Sequence, residues 1–193
     1  MPKAAAVVGW LWIGFVVYWL ILAQFNKKAK RSARWSGWGA RAAIIAGVLL
    51  VTGWHRRGTG DLAGSIGRSL AVHPGMASQW TGVALCLAGF AFAFWARAHL
   101  GRNWGMPMSL RQGHELVTSG PYAYVRHPIY SGIMLAMIGS ALAVGVLWLA
   151  LFVLYFAYFL FSARTEERMM LAQFPDTYPQ YRRRTKMLIP LVL

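Results

Sequence analysis

Residues 129–161 read IYSGIMLAMIGSALAVGVLWLALFVLYFAYFLF and contain no charged side chain. A single helix of that length would be about 50 Å long, whereas the hydrocarbon core of a bilayer is about 30 Å thick. Small residues lie in the middle of the stretch, at Gly139, Ser140 and Gly145. The stretch therefore predicts two transmembrane helices joined as a tight hairpin.

Three further apolar runs precede this hairpin, at residues 4–25, 38–54 and 77–96. The run at 38–54 is shorter than the others and contains Arg41, whose long side chain could extend to the membrane interface. In the whole chain of 193 residues, 58% are hydrophobic and 13% are charged. Soluble domains carry about 25% charged residues. We therefore predict an all-α integral membrane protein with five transmembrane helices, the last two forming the hairpin.

The basic residues indicate the orientation of these helices. The formal net charge is +15, and sixteen of the 20 Lys and Arg residues fall on one side of the five-helix topology. By the positive-inside rule this side is cytoplasmic, so the N-terminus is outside and the C-terminus is in the cytoplasm. Because the basic residues lie between and after the apolar runs, they indicate the orientation of the helices rather than a nucleic-acid partner. We expect no nucleic-acid partner. A prokaryotic plasma membrane suits the short chain.

Polar chemistry is confined to two pieces on the cytoplasmic side, the connection at 97–128 and the tail at 162–193. We therefore divide the chain into N-terminal transmembrane helices (1–96) and a core that carries the site (97–193). Cys86 is the only cysteine, so no intrachain disulfide and no cysteine-based metal cluster can form. Two histidines, His55 and His73, lie outside the core. Neither has a clustered carboxylate or histidine partner, so we predict no metal site.

The most informative polar segment is HELVTSGPYAYVRHPIY, residues 114–130. Gly120-Pro121 indicates a turn, and Pro128 suits the first position of the following helix. The free N–H groups of a helix start attract a carboxylate, and Arg126 and His127 add further donors beside them. Tyr and Arg at such a position also form interfacial belts, so the residues alone favour belt and binding site equally.

A second polar feature, RTEER at residues 164–168, follows the last apolar run. On a helix Glu167 could pair with Arg164 three residues earlier. Glu166 points in another direction and needs a different partner. Taken alone, this segment is more typical of a solvated helix end than of a site.

Together these motifs resemble the isoprenylcysteine carboxyl methyltransferase family, which is related to the phospholipid methyltransferases. The resemblance rests on Leu-Val-Thr-x-Gly-Pro-Tyr, Arg-His-Pro-x-Tyr, the hairpin, Glu-Glu, and the later Phe174, Tyr178, Tyr181 and Pro190. It covers roughly residues 95–190. It implies a membrane methyltransferase that uses S-adenosylmethionine and releases S-adenosylhomocysteine. Its cofactor pocket would be built on the cytoplasmic side from the 97–128 connection and the C-terminal tail.

The resemblance also assigns residues. Its cofactor contacts fall on His114, Leu116, Val117, Tyr122, His127, Pro128, Tyr130 and Glu166, beside which Arg126 is a further donor. Glu166 would receive the cofactor's ammonium, and His127 would face its carboxylate. The family's substrate-orienting arginine falls where this chain has Ser162, and the nearest arginine is Arg164. Arg164 and Glu167 are therefore the candidate catalytic residues.

The resemblance favours a lipophilic or prenylated acceptor with an isoprenylcysteine-type carboxylate, which needs no general base and which Arg164 could orient. A phospholipid amine is the alternative, with Glu167 as the base that removes a proton. A membrane sterol-reductase-like enzyme and a non-catalytic membrane scaffold are the remaining alternatives. Membrane lipids are the other expected partners.

Overall fold

A computed structural model describes residues 3–23, 29–32, 74–104, 109–111, 115–145 and 147–189. The predicted span at 38–54 and the predicted cofactor residue His114 lie outside these ranges. The helices are α1 (Lys3–Ala23), α2 (Met76–Leu100), α3 (Pro128–Val144), α4 (Leu147–Gln173) and α5 (Tyr178–Arg184). Single 3-10 turns lie at Gly101–Asn103 and Gly120–Ala123.

Three helices in the described residues are long and apolar enough to cross a membrane: Lys3–Leu22, Met76–Leu100 and Trp148–Gln173. The shorter apolar helix Pro128–Val144 corresponds to the first arm of the predicted hairpin. The predicted all-α membrane class is thus confirmed, while the number of five spans stays a prediction. One addition was not predicted: strands β1 (Ala29–Ser32) and β2 (Ser109–Arg111) pair in a small antiparallel ladder.

The predicted break in the long apolar run is at Gly145. Helix α3 ends at Val144, and Gly145 has φ 144°. Side chains with a Cβ rarely adopt that backbone conformation, whereas glycine adopts it readily. Helix α4 begins at Leu147. Gly139 and Ser140, which the sequence placed near the turn, instead lie inside α3 and face α2.

Helices α2 and α3 are packed so closely that glycine is required at their interface. A Cβ added at Gly82 would lie 2.5 Å from the carbonyl oxygen of Gly139, and one at Gly89 would lie 2.5 Å from that of Gly132. Because earlier residues of α2 meet later residues of α3, the two helices are antiparallel. Small residues allow this approach of backbones, which stabilises helix pairs in membranes through van der Waals contacts.

Helix α1 packs on this pair through one polar and several aromatic contacts. The indole Nε1 of Trp12 donates to Ser140 Oγ over 3.0 Å, and Ser140 Oγ donates to Ala136 O over 2.8 Å. The ring of Phe15 stacks on Phe90 with 4.6 Å between centroids. The hydroxyl of Ser140, fully buried in α3, therefore has the partners that a buried polar group requires.

The buried Arg97 joins the ends of α1 and α2. Its guanidinium donates to Gly101 O over 2.7 Å and to Leu22 O over 3.4 Å. It also lies over the Trp104 ring, 4.9 Å from the centroid. Helix C-termini present free carbonyls of partial negative charge, which a guanidinium stabilises. This end of the bundle is where the polar site lies.

Candidate cofactor site at the start of helix α3

Two segments far apart in the sequence meet at the start of α3. The backbone N–H of Arg126 donates to Lys186 O over 2.8 Å, and that of His127 donates to Met187 O over 3.1 Å. Val125 and Lys186 form an isolated parallel bridge. The connection before α3 and the C-terminal segment are thus held together by main-chain hydrogen bonds, which fix the position of Arg126 and His127.

Helix α3 begins as its sequence predicts. His127 is the N-cap and Pro128 is the first helical residue, where its missing N–H costs nothing. The hydroxyl of Ser131 bonds to the carbonyls of His127 and Leu188. Leu188 itself is fully buried against α3 and α4. The C-terminal segment therefore packs against the first turn of α3.

Glu166 faces this helix start from α4. Its Oε1 accepts a hydrogen bond of 2.6 Å from the Tyr130 hydroxyl, and its Oε2 lies 3.4 Å from His127 Nδ1. The His127 and Tyr130 rings are stacked with 5.5 Å between centroids, and Tyr130 stacks in turn on Phe159 at 4.5 Å. The side chain of Glu166 is 23% exposed, so this carboxylate is accessible at the edge of the cluster.

Glu167 has different partners and is more deeply buried, with its side chain 4% exposed. Arg126 Nε donates to its Oε1 over 2.6 Å, and Arg182 Nε lies 3.3 Å from its Oε2. Arg126 also donates to the carbonyls of Arg182 and Thr185. The pairing of Glu167 with Arg164 considered from the sequence is therefore replaced by an ion pair with Arg126, which connects α4 to the start of α3 and to the C-terminal segment.

The electrostatics of His127 follow from these two carboxylates. Burial lowers the pKa of His127, but the hydrogen bond to Glu166 and the negative charges of Glu166 and Glu167 outweigh burial, so the pKa is raised above the ordinary histidine value, as neighbouring anions favour the charged form. Its Nε2 is buried, lies 3.7 Å from Glu167 Oε1 and has no hydrogen-bond partner within the described part of the chain. The site thus favours a protonated imidazolium with one N–H still available.

Three tyrosines flank the cluster. The Tyr181 hydroxyl donates to the backbone carbonyl of Tyr122 over 2.7 Å, and the Tyr178 ring packs edge-on against Tyr181. Burial raises the pKa of Tyr122, Tyr178 and Tyr181, because it disfavours the charged phenolate, so all three phenols stay neutral. Tyr122 follows Gly120, whose φ is +60° and whose missing side chain leaves room for the ring of His99.

The structure brings most of the predicted site residues together: Tyr122, Arg126, His127, Pro128, Tyr130, Glu166 and Glu167 surround the start of α3. Leu116 and Val117 lie half-buried in the segment before Gly120. Arg164 does not join them. It precedes Glu166 by two residues, about 200° around the helix, and lines a groove of about 400 Å³ on the other side of α4 with Ala157, Leu160, Phe161, Thr165 and Arg168.

Beside the cluster lies a basic cavity of about 310 Å³, lined by Arg126, Arg182, Arg183, Arg184, Thr185, Lys186 and Met187. Arg182 was not among the predicted site residues, although it contacts Glu167. The run of three arginines at 182–184 was the only sequence signal for it. In the described ranges no group of three His, Cys, Asp or Glu side chains is arranged to hold a metal ion.

Fold and site together define a class: a polytopic helical membrane protein with a polar site where two hydrophobic helices meet a C-terminal segment. Residues 82–173 match the sequence model of the Isoprenylcysteine carboxyl methyltransferase (ICMT) family. This match confirms the predicted family resemblance, and it includes the start of α3 and both glutamates.

Relatives with known names match over part of the chain. A protein-S-isoprenylcysteine O-methyltransferase of Schizosaccharomyces pombe is 40% identical over 81 residues, 41% of this chain and 34% of the relative. A cobalt-zinc-cadmium resistance protein, CzcN, of Cupriavidus metallidurans is 39% identical over 100 residues, 48% of this chain and 44% of the relative. A methanethiol S-methyltransferase 2 of Bradyrhizobium diazoefficiens is 43% identical over 79 residues, 40% of this chain and 30% of the relative. The match spans less than half the length of each.

Proposed function

We propose that this protein is an S-adenosylmethionine-dependent membrane methyltransferase whose cofactor pocket is the cluster at the start of α3. The observation that supports this most directly is the arrangement of His127, Tyr130 and Glu166. A cation, an aromatic face and an accessible carboxylate lie within hydrogen-bond or stacking distance of one another. All three residues lie in the segment that matches the methyltransferase family.

The donor set fits the cofactor. Glu166 would bind its ammonium. His127, whose Nε2 has no hydrogen-bond partner in the described residues, would bind its carboxylate together with the start of α3. Arg126 reinforces the positive potential there. The neutral faces of Tyr122 and Tyr130 would stabilise a sulfonium by cation–π attraction of about 1 kcal/mol. Leu116, Val117 and His114 complete the proposed contacts, and Pro128 shapes the helix start.

The bound cofactor supplies an electrophilic methyl group, and the residues of this chain bind, orient and exclude water. Holding both reactants in place can supply several kcal/mol of the activation barrier. The rings of His127, Tyr130 and Phe159 are stacked on one another beside the site. The reacting groups would thus meet beside an aromatic wall rather than in open water.

The acceptor we propose is a lipophilic carboxylate of the isoprenylcysteine type, methylated on oxygen. Such a carboxylate is ionised at neutral pH and needs no general base. A phospholipid amine would need one, and the predicted base Glu167 already has both oxygens engaged by Arg126 and Arg182. The geometry of Glu167 therefore favours the carboxylate. Arg164 keeps its proposed orienting role only if the acceptor can approach from the groove on the other side of α4.

We further propose that this site faces the cytoplasm of a prokaryotic cell, with the C-terminus inside. Basic residues of the C-terminal segment line the cavity beside the site, and basic residues favour the cytoplasmic side. The named relatives widen the acceptors to be tried. Since one of them is named a methanethiol S-methyltransferase, a small thiol belongs in the substrate panel beside the prenylcysteine carboxylate and the phospholipid amine.

The proposal is tested by calorimetric titration of the detergent-solubilised protein with S-adenosylmethionine and S-adenosylhomocysteine. We expect both to bind, and Glu166→Ala and His127→Ala each to abolish binding. Thr165→Ala is the matched control, because this neighbour of Glu166 uses its hydroxyl only on Phe161 O, 3.0 Å away in its own helix. Absence of binding to the intact protein would contradict the proposal, and NADPH binding instead would favour a reductase.

A further inference from the structure

The basic cavity beside the cluster has an excess of positive charge that methyl transfer does not use. Its lining includes five cationic side chains: Arg126, Arg182, Arg183, Arg184 and Lys186. In the described part of the chain Glu167 is the carboxylate that pairs with them, and it contacts Arg126 and Arg182. Cations gathered around one cavity repel one another, so the cavity favours an anionic ligand.

The cations of this cavity differ in how far they are already engaged. The guanidinium of Arg126 is buried and bonds to Glu167 and to the carbonyls of Arg182 and Thr185. Arg183, Arg184 and Lys186 are exposed, and their side chains form no ion pair or hydrogen bond with the described residues. Arg126 therefore contributes buried positive charge, while the three exposed side chains have donors available for a ligand.

The basic cavity is separate from the proposed cofactor contacts. Among the described residues that line it are none of His127, Tyr130 and Glu166. Its volume is about 310 Å³, at the lower end of the range of about 300–1,000 Å³ that is usual for ligand clefts. The cavity thus suits a compact anionic group, such as a phosphate with a small substituent.

The position of the cavity in the fold indicates where that anion comes from. Arg126 lies two residues before Pro128, the first residue of the apolar helix α3. Val125, next to Arg126, forms a parallel bridge with Lys186, so both sides of the cavity lie at the level where α3 begins. The phosphates of a bilayer lie just outside its hydrocarbon core. The cavity is therefore at the depth of the lipid headgroups.

Apolar surface adjoins the charged lining. Met187 lines the cavity and is half-buried, and Ile189, two residues later, is 42% exposed. Between them Leu188 is fully buried and anchors the segment against α3 and α4. A lipid whose headgroup occupied the cavity could place the start of its acyl chains on Met187 and Ile189. A free phosphate ion would gain nothing from this apolar surface.

We propose that the basic cavity binds the phosphate of an anionic phospholipid from the adjoining leaflet. Arg183, Arg184 and Lys186 donate charge-assisted hydrogen bonds to the phosphate oxygens, which are stronger than bonds between neutral groups. Basic pockets at the membrane boundary recognise anionic headgroups in this way. The bound lipid relieves the repulsion among the cations and holds the C-terminal segment against the start of α3. The inference goes beyond the proposed methyltransferase function and does not depend on it.

The test is native mass spectrometry of the purified protein in uncharged detergent micelles with added phosphatidylglycerol. Phosphatidylcholine, whose headgroup has no net charge, is the comparison lipid. We expect the wild type to bind phosphatidylglycerol about tenfold more tightly than phosphatidylcholine. Arg183→Gln combined with Arg184→Gln should weaken phosphatidylglycerol binding about thirtyfold, and Lys186→Gln alone about fivefold, the contributions usual for basic residues at an anionic membrane surface.

The matched control combines Arg164→Gln with Arg168→Gln. It removes the same charge from two exposed arginines that line the groove on α4, and the affinity for phosphatidylglycerol should stay within about twofold of wild type, as for changes at surface positions away from a site. Equal weakening in both double variants would overturn the proposal, because the lipid would then respond to surface charge in general. No preference of the wild type for phosphatidylglycerol would overturn it as well.

Two competitors identify the ligand of the cavity. Displacement of the lipid by inorganic phosphate at a comparable concentration would overturn the proposal in favour of a soluble anion. Displacement by S-adenosylhomocysteine would overturn it by assigning the cavity to the cofactor pocket, whereas lipid binding that persists with either competitor supports it. If the Arg183 and Arg184 double variant unfolds in micelles, Lys186→Gln decides, and an unchanged affinity for phosphatidylglycerol in that variant would overturn the proposal.

Discussion

Arg126 and Glu167 form a buried ion pair, with 2.6 Å between Nε and Oε1 and both side chains less than a tenth exposed. The pair joins residues 41 positions apart in the sequence. Arg126 also binds the carbonyls of Arg182 and Thr185. It therefore holds together the three segments that surround the proposed pocket: the start of α3, the end of α4 and the C-terminal segment.

We expect Arg126→Ala to destabilise the protein by about 3 kcal/mol, because it leaves the charge of Glu167 buried without its closest partner. The measurement is the free energy of unfolding in mixed micelles by denaturing-detergent titration. Replacing both partners by apolar residues, Arg126→Met with Glu167→Leu, should cost less than the single change, since neither member of the pair is then left buried without the other.

Arg164→Ala serves as the control for this experiment. Arg164 is exposed on α4, and its removal should change stability by less than about 0.5 kcal/mol, as is usual for a surface position. A loss of similar size in both single variants would mean that the effect comes from reduced charge in general. The ion pair would then not be what connects the three segments.

The raised pKa of His127 predicts a pH dependence of stability. The imidazolium is favoured by Glu166 and Glu167 in the folded protein, so its stabilisation is complete below pH 6.5, the ordinary pKa of histidine. The stabilisation is lost as the pH rises through the raised pKa of the folded state. Thermal unfolding followed from about pH 5 to pH 9 should therefore show a midpoint that falls with rising pH.

This slope should be much smaller in His127→Gln, which cannot titrate. His99→Gln should keep it, because His99 packs on Gly120 and not on the carboxylates. An unchanged slope in His127→Gln would show that another group is responsible.

Local patterns in the sequence predicted the local structure well. The charge-free run predicted a helical hairpin, and Gly145 breaks the run because its φ of 144° suits glycine. Pro128 predicted the start of α3 and is its first residue. In each case the cause, whether hydrophobic length, backbone conformation or a missing N–H, acts within a few residues and is therefore visible in the sequence.

Contacts between residues far apart in the sequence could not be predicted from such local patterns. Glu167 could be paired from spacing only with Arg164, whereas its partner is Arg126, brought near by main-chain bonds between the two segments. The same holds for Gly139. It resembled a turn residue, but a Cβ added there would lie 2.5 Å from the backbone nitrogen of Cys86 in α2. Both relationships depend on which helices are neighbours, and the family resemblance indicated only which residues matter.

The glycine contacts of α2 and α3 predict a strong packing effect. Gly89→Ala would place a Cβ 2.5 Å from Gly132 O and 2.6 Å from Ala136 N, so the helices must separate. We expect a loss of about 1–3 kcal/mol in the free energy of unfolding, the usual cost of overpacking a tight interface. Gly14→Ala in α1 is the matched control, because its added Cβ meets no atom of the described residues within 4 Å. A similar loss in Gly14→Ala would show that the close approach of α2 and α3 is not the cause. Helix propensity cannot explain a loss at either position, because it favours alanine over glycine.

The role of Arg164 distinguishes the family's motif, which places an arginine beside the acceptor, from this structure, in which Arg164 lies on the other side of α4 from Glu166. If the acceptor carboxylate lies on the Glu166 side of α4, Arg164→Ala should leave methyl transfer to a prenylcysteine probe within about twofold of wild type, as for a surface change within about 0.5 kcal/mol. The measurement is transfer of a radiolabelled methyl group from S-adenosylmethionine, with the cofactor's dissociation constant determined in parallel. Transfer that is abolished while cofactor binding persists would instead place the acceptor in the groove lined by Arg164 and Phe161. In that case the carboxylate would need a guanidinium after all, and α4 would have to rotate or shift to bring that groove towards Glu166.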